Sequence, residues 1–385
     1  MRRRRWPAWR HVRPRVFPLL TGALVGGIIV GGALALVRRP AGTSSRRALD
    51  PLQARPQDYS WTAQPDPEFP IPPYARFLEG VQVVLDPGHL GQRDPGGTWK
   101  RGPTGLREAV VNLRVAQFLR EFLTAVGARV VLTREADKCL DLPDKDDLHA
   151  RVEVANGAHA DLFLSIHHNA VADPAANYTA VFYHGAPDYS PASRCAARHL
   201  LTGLNDALRL ESHLECAVVS DELLYENGLA VLRDAEVPAV LSEASFHSNP
   251  DEERRLRDPV YNRREAYGLF LGLARWAQAG LPRVRLLRVE AGGARQGDQA
   301  VVALDDGLSG RGGWGAGQVK MAVGSVVVKL DGKPLAYTLD LPQRQLRIAL
   351  PGRGSARHGP LYVDFENVFG QHVLHPRIDL PGSGR

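Results

Sequence analysis

The sequence predicts an α/β fold, a mostly parallel twisted sheet flanked by helices, followed by a small β-sandwich domain. Two observations support this prediction. Between residues 81 and 280, short apolar segments alternate with segments of helical period, which is the pattern of a layered α/β protein. After Leu281, short alternating segments are separated by glycine and proline turns, and no helix-period segment intervenes, which is typical of a sandwich.

The first strand is predicted at residues 81–86, and the first helix at residues 107–126, with Gly127 as its stop. Asp258 and Pro259 predict the start of the last helix, which should end near Gly280. The other predicted strands of the sheet are residues 128–134, 161–167 and 237–246, and the other helices are residues 151–158 and 190–208. In the sandwich we expect strands at 283–291, 299–306, 325–332, 345–352 and 361–370.

The charge of the chain is concentrated at its start. The net charge is +6, but residues 1–47 contain eleven arginines and no acidic residue, so the remainder of the chain carries −5. The basic residues therefore form a local tail beside an apolar segment. We expect no nucleic-acid partner.

The apolar segment, residues 16–37, contains no charged residue. As a helix it would span about 33 Å, enough to cross a bilayer. Seven arginines precede it and two directly follow, which predicts a cytoplasmic tail at residues 1–15 and an exported remainder. We expect an inner-membrane anchor, with the rest of the protein in the periplasm or at the cell exterior. Secretion after cleavage of a signal sequence is the alternative.

Residues 38–79 are rich in proline, arginine and glutamine, which predicts an extended linker. The α/β domain is then expected at residues 80–281. The sandwich is expected at residues 284–385, and the sequence leaves its role open.

Three predicted strands end in polar residues. "VVLDPGH" ends in His89, "LFLSIHHN" contains His167, and "AVLSEASF" contains Glu243. Glu108 opens the helix after the first strand. Because ligand sites in open α/β sheets form outside the carboxyl ends of the strands, we expect these four side chains at one edge of the sheet.

Two imidazoles and one carboxylate are the ligand set of an open catalytic zinc site. We predict His89, Glu108 and His167 as ligands of Zn²⁺. Zinc lowers the pKa of a bound water from about 15.7 to near 7. Glu243 would then serve as the base that takes the proton of the water and passes it to the leaving nitrogen.

Three neighbouring residues could support this site. Asp86 could orient a histidine or cap the turn. His168 should face the opposite side of the strand from His167, so a supporting or core role is favoured over metal binding. Asn169 could fix the loop or touch substrate.

Six motifs in order carry a resemblance to a known family: "DPGH", "REAVVNL", "TREAD", "RVEVAN", "ADLFLSIHHN" and "EASFHSN". From Val81 to Ala279 the chain resembles the zinc-dependent N-acetylmuramoyl-L-alanine amidases of the amidase-3 family. The resemblance implies that His89, Glu108 and His167 bind zinc and that Glu243 is catalytic. It implies peptidoglycan as substrate, with cleavage of the amide between N-acetylmuramic acid and L-alanine of the stem peptide.

The sequence departs from the family pattern at Ser245, where the family often has glycine. Some members carry a helical insertion that plugs the active site until an activator removes it, but no surplus segment lies between His167 and Glu243. A protein activator is therefore not indicated. Two alternatives remain open: a non-catalytic peptidoglycan-binding or recruiting module on the same fold, and a zinc peptidase that cleaves another amide. Arg134 and Arg151 could meet acidic groups of the stem peptide or pair with acids of the fold such as Asp137.

Overall fold

The computed structural model describes residues 69–89, 100–138, 144–186, 190–210, 217–292, 297–309, 311, 318–351 and 359–381. The basic tail, the apolar segment 16–37 and the linker as far as residue 68 lie outside the described residues. No helix in the described part of the chain is both long and apolar enough to cross a membrane.

A six-stranded sheet forms the first unit, with the strand order β2-β1-β3-β6-β4-β5. The strands are β1 (Gln82–Pro87), β2 (Arg129–Leu132), β3 (Leu162–Asn169), β4 (Ala180–Tyr183), β5 (Ala217–Ser220) and β6 (Ala239–Phe246). Strands β2, β1, β3 and β6 are parallel, whereas β4 pairs antiparallel with β6 and β5 runs parallel to β4. The predicted α/β class with a mostly parallel sheet is confirmed.

The helices of this unit are α1 (Glu108–Ala125), α2 (Asp144–Gly157), α3 (Pro191–Leu208), α4 (Ala230–Arg233), α5 (Pro250–Leu256) and α6 (Pro259–Gln278). Helices α1, α3 and α6 agree with the prediction, and the Asp258 side chain caps α6 by accepting from the Val260 N–H. The helix predicted at residues 151–158 begins earlier, at Asp144.

The two faces of the sheet are covered by different helices. Helices α1, α3 and α6 contribute to one apolar cluster, and α2 and α4 contribute to the other. Leu164 and Ile166 belong to the first cluster and Phe163 to the second. Because side chains alternate along a strand, His167 lies on the α2 side and His168 on the α6 side.

Part of the predicted linker belongs to the folded unit. Residues Pro73–Leu78 form a 3₁₀-helix. The side chains of Ala75 and Leu78 are buried in the core that contains α1 and α6. Residues 69–79 are thus packed against the α/β unit, and the prediction of an extended linker is wrong for them, because their apolar side chains can be buried.

The second unit is a sandwich of two four-stranded antiparallel sheets, ordered β11-β12-β8-β7 and β10-β9-β13-β14. Its strands are β7 (Arg283–Glu290), β8 (Gln299–Asp305), β9 (Val327–Leu330), β10 (Lys333–Pro334), β11 (Tyr337–Asp340), β12 (Gln345–Ala349), β13 (Leu361–Asp364) and β14 (Arg377–Ile378). Val302 and Leu346 from one sheet share a core with Leu330 and Val363 from the other. The predicted sandwich is confirmed.

Backbone and side-chain contacts join the two units. The Leu374 side chain lies in the core of the α/β unit. Its N–H donates to the Pro282 carbonyl at 3.1 Å. Asn367 Nδ2 donates to the Ala279 carbonyl at 2.9 Å. The sandwich therefore packs directly against the end of α6.

Candidate active site

The three predicted metal ligands come together at the carboxyl end of the parallel strands. His89 Nε2 lies 2.6 Å from Glu108 Oε2, and His167 Nδ1 lies 3.2 Å from Glu108 Oε1. One ligand atom from each residue lies within 4.8 Å of the others. Glu243 is the register partner of His167 on the neighbouring strand β6. The strand ends thus bring all four side chains to one edge of the sheet.

The turn after β1 allows this convergence. A Cβ atom on Gly88 would lie 2.2 Å from His167 Nε2, so only glycine lets the turn approach the imidazole so closely. The next residue, His89, has a φ of 64°. This left-handed conformation costs a non-glycine residue about 1–3 kcal/mol and persists only where the surroundings hold it. The position of the His89 imidazole therefore depends on the contacts of this turn.

Glu108 is buried at the start of α1. Its Oε1 accepts from the His168 N–H at 3.0 Å and from Asn112 Nδ2 at 3.2 Å. Burial alone would raise the pKa of Glu108, but His89 and His167 lower this pKa well below its ordinary value. The carboxyl group is therefore ionised at neutral pH, the state in which a carboxylate binds a cation.

Glu243 has a different environment. Its residue is half-buried, but its Oε2 atom is buried and has no hydrogen-bond partner among the described residues. Burial and the charge of Glu108 raise the pKa of Glu243 well above its ordinary value. The pKa values of Glu108 and Glu243 are thus shifted in opposite directions. Glu108 is favoured in its charged form, whereas Glu243 can hold a proton.

Asp86 binds an arginine and two hydroxyl groups. Its Oδ1 accepts from Thr133 Oγ1 at 2.6 Å and from Arg151 Nη1 at 2.9 Å, and its Oδ2 accepts from Ser165 Oγ at 2.7 Å. Arg151 in turn donates to the His89 carbonyl at 2.9 Å. Asp86 is therefore linked to the backbone of His89 through Arg151.

The His168 ring lies on the opposite face of β3 from the His167 ring, the side that strand alternation predicts. Its Nδ1 lies 2.8 Å from Asn112 Oδ1, and its Nε2 lies 2.9 Å from Glu265 Oε2. Because the Asn112 amide nitrogen donates to Glu108, both ring nitrogens of His168 lie against acceptor oxygens. Burial lowers the pKa of His168, but Glu265 and Glu108 raise it to a net value above the ordinary one.

Asn169 is the last residue of β3. Its Oδ1 accepts from the Ala170 N–H at 2.8 Å, and its carbonyl accepts from the His247 N–H at 2.9 Å. These contacts agree with a role in fixing the loop.

Residues that the sequence reasoning did not single out surround Glu108. Asn112 donates to it, and His247 Nδ1 lies 3.7 Å from Glu108 Oε2 and 2.9 Å from the His168 carbonyl. Both residues lie within quoted motifs, "REAVVNL" and "EASFHSN", which is the signal that could have identified them. Glu265 lies outside any motif, 97 positions from His168.

Comparison with known proteins identifies the family. Residues 83–275, half of the chain, match the family model described as N-acetylmuramoyl-L-alanine amidase. The chain therefore belongs to the N-acetylmuramoyl-L-alanine amidase family, whose members are enzymes of the peptidoglycan cell wall.

The relatives match about half of the chain. The chain is 31% identical over 212 residues to the germination-specific N-acetylmuramoyl-L-alanine amidase of Bacillus subtilis, covering 53% of this chain and 83% of that protein. It is 28% identical over 199 residues to the probable cell wall amidase LytH of Staphylococcus epidermidis, covering 52% of this chain and 59% of that protein. Among solved structures, the amidase AmiC2 of Nostoc punctiforme matches with 26% identity and a TM-score of 0.44, covering 52% of this chain and 99% of that chain.

Proposed function

We propose that this amidase cleaves the bond between N-acetylmuramic acid and L-alanine by zinc-dependent hydrolysis. His89, Glu108 and His167 hold the ion, and Glu243 is the general base. The observation that carries this proposal is the buried Glu243 Oε2, which has no hydrogen-bond partner among the described residues, beside the His–Glu–His cluster. A buried carboxyl oxygen without a partner is costly, so its position needs a functional reason.

The donor set fits zinc. Imidazole nitrogens and one carboxylate oxygen are the protein ligands of open catalytic zinc sites. The three candidate atoms lie within 4.8 Å of one another, and Glu108 is ionised at neutral pH. When bound, zinc polarises the scissile carbonyl and lowers the pKa of water from about 15.7 to near 7.

Glu243 is suited to proton transfer. A general base works best when its pKa lies near the working pH, and burial beside Glu108 raises the pKa of Glu243 in that direction. Its Oε2 can accept a proton from water and later donate it to the leaving nitrogen, since no described group competes for this atom. Such a residue contributes about 10²–10⁴-fold to the rate.

The enzyme would act on the wall outside the cytoplasm. The apolar segment 16–37 would hold it at the membrane, and residues 38–68 would let the α/β unit reach the peptidoglycan. The complete ligand set together with Glu243 supports catalysis over a purely wall-binding role.

Glu243→Gln tests the proposal. The amide keeps the shape of the side chain but cannot accept the proton. We expect zinc content near one per chain and a loss of at least about 10²-fold in the release of L-alanine amino termini from purified peptidoglycan. Glu121→Gln, at a glutamate 56% exposed on α1, is the matched control and should keep the wild-type rate.

Mass analysis of the muropeptides distinguishes the reaction. An amidase frees the whole stem peptide from the lactyl group, whereas a peptidase cuts within the stem and leaves the lactyl–alanine bond intact. A wild-type rate in Glu243→Gln, or wild-type protein that neither binds zinc nor loses activity with a chelator, would overturn the proposal.

A further inference from the structure

We propose that Arg134 and Arg151 are positioning residues for the metal site. They hold the backbone of residues 87–89, which we call the ligand turn, and so set the affinity of the site for zinc. This inference rests on the proposed function. The sequence suggested pairing with acids of the fold as an alternative, and Arg151 does pair with Asp86 and Asp147. Asp137 accepts from Arg107 at 3.0 Å, and its charge raises the pKa of Arg134.

Arg134 ties the ligand turn to helix α1. This residue is 7% exposed and follows β2. Its Nε donates to the Pro87 carbonyl at 3.0 Å, and its Nη2 donates to the Gly88 carbonyl at 3.0 Å and to the Ala109 carbonyl at 2.7 Å. Ala109 directly follows Glu108. One guanidinium group thus connects the segments that carry two of the three candidate ligands.

Arg151 reaches the same turn from helix α2. Its Nη1 donates to the Pro87 carbonyl at 3.1 Å, and its Nη2 donates to the His89 carbonyl at 2.9 Å. Asp86 and Asp147 accept from its other N–H groups at 2.9 Å and 2.5 Å. These two carboxylates compensate the buried charge and orient the guanidinium toward the turn.

The two arginines therefore donate to all three carbonyl groups of the ligand turn. This matters because His89 has a φ of 64°, a conformation that a non-glycine residue keeps only under constraint from its surroundings. If the turn relaxed, the His89 imidazole would move away from Glu108 and His167. We infer that the arginine contacts are what keeps the His89 ring in a binding position.

Lysine cannot replace arginine in this role. The guanidinium is planar and presents five N–H donors in a fixed arrangement, whereas the lysine ammonium is a compact charge with three donors. Burial lowers the pKa of Arg134 to about 10, so it remains protonated at neutral pH and keeps all its donors. An arginine-to-lysine substitution therefore conserves the charge and removes the multiple backbone contacts.

The test compares Arg134→Lys and Arg151→Lys with wild-type protein. Zinc affinity is measured by competition with a chromophoric chelator, and the melting temperature of the zinc-free protein is measured separately. We expect each variant to bind zinc about 10–100-fold more weakly, the usual effect of losing a group that orients a metal ligand.

Arg255→Lys is the matched control. Arg255 is 12% exposed and pairs with Glu252, away from the ligand turn. We expect this variant to melt at a lower temperature and to bind zinc with wild-type affinity. The control thus separates loss of a buried arginine from loss of the contacts to the turn.

The outcomes are distinct. If wild-type protein binds zinc and both lysine variants bind it equally tightly, the inference is overturned and the proposed function stands. If wild-type protein binds no zinc, the proposed function and the inference both fail. If a lysine variant fails to fold, Asp147→Asn is measured instead. This variant keeps both arginines but weakens the contact that orients Arg151. Weaker zinc binding by Asp147→Asn supports the inference, and unchanged binding overturns it.

Discussion

Arg283, at the start of β7, donates a hydrogen bond to Asp161, the residue before β3, with 2.8 Å between Nη2 and Oδ1. The other oxygen of Asp161 accepts from the Gln82 N–H of β1 at 3.0 Å. Strands β1 and β3 lead to His89 and His167 at their other ends. This ion pair therefore joins the sandwich to the sheet at the edge opposite the candidate active site.

Asp161→Asn should reduce stability and flatten its dependence on acid pH. Burial would raise the pKa of Asp161, but His375, Arg283 and the Gln82 N–H lower it below its ordinary value. A lowered pKa in the folded state means that the stabilisation is present above the unfolded pKa of about 3.9 and is lost as the pH falls through the folded pKa. Melting temperatures measured from neutral pH to about pH 2 should show this difference.

The matched control for Asp161 is Asp251→Asn, at an aspartate that is 51% exposed. Its melting curve should follow the wild type at every pH. If the melting temperature of Asp161→Asn falls as steeply as that of the wild type below about pH 4, the carboxylate does not make this contribution.

Gly88→Ala should weaken zinc binding and activity together. A Cβ at this position would lie 2.2 Å from His167 Nε2, so either the turn or the imidazole must move. Gly157→Ala is the control, because its Cβ would meet no atom within 4 Å. The second variant should keep wild-type zinc affinity, and calorimetric titration with zinc would compare the two. Equal affinities would contradict the close packing of turn and imidazole.

Glu253→Gln should destabilise the loop that leads to Glu108. The carboxylate accepts from the Thr104 N–H at 2.8 Å and from the Leu106 N–H at 2.9 Å. An amide replaces one acceptor oxygen with a donor, which leaves a backbone N–H without its partner and costs about 1–3 kcal/mol. Urea unfolding measures this loss. Glu135→Gln, at a glutamate 68% exposed, should change stability by less than about 0.5 kcal/mol.

If Glu253→Gln and Glu135→Gln change the free energy of unfolding equally, the buried Glu253 carboxylate does not stabilise the loop. Hydrogen exchange of the Thr104 and Leu106 amides offers a direct check. One of these two amides should exchange faster in Glu253→Gln than in the wild type, because the glutamine side chain keeps only one acceptor oxygen.

Leu374→Ala should destabilise the α/β unit although Leu374 belongs to the sandwich segment of the chain. Its side chain is 2% exposed and lies in the core with α6. Truncation of a buried leucine typically costs about 2–5 kcal/mol. Val368→Ala, at a valine 56% exposed, should leave urea unfolding nearly unchanged. A wild-type unfolding midpoint for Leu374→Ala would mean that the sandwich does not stabilise the enzyme through this contact.

The convergence of His89, Glu108, His167 and Glu243 could be predicted because each lies in or just beyond the carboxyl-terminal half of a strand, or at a helix start. The carboxyl ends of parallel strands share one edge of the sheet, so separation along the chain does not prevent convergence. Strand β4 was not foreseen, nor its antiparallel pairing with β6. Its four residues are too few for a clear pattern, and hydrophobic alternation carries no information on strand direction.

The partners of Arg134 could not be read from the sequence, because they are backbone carbonyls, which every residue possesses. The contact between His168 and Glu265 joins residues 97 positions apart. It could not be predicted, because the sequence alone does not distinguish a buried glutamate in α6 from an exposed one. Strand alternation predicted the side on which His168 lies, but not what it would meet there.

The backbone of His89 has a consequence for attempts to make this enzyme more robust. At a φ of 64°, glycine would avoid the steric cost that a Cβ imposes on the folded state. A screen that selects for thermal stability alone would therefore favour glycine at this position. Such a screen would discard the imidazole that we propose as a zinc ligand. Engineering of this protein should therefore leave His89 unchanged, even where a substitution there raises the melting temperature.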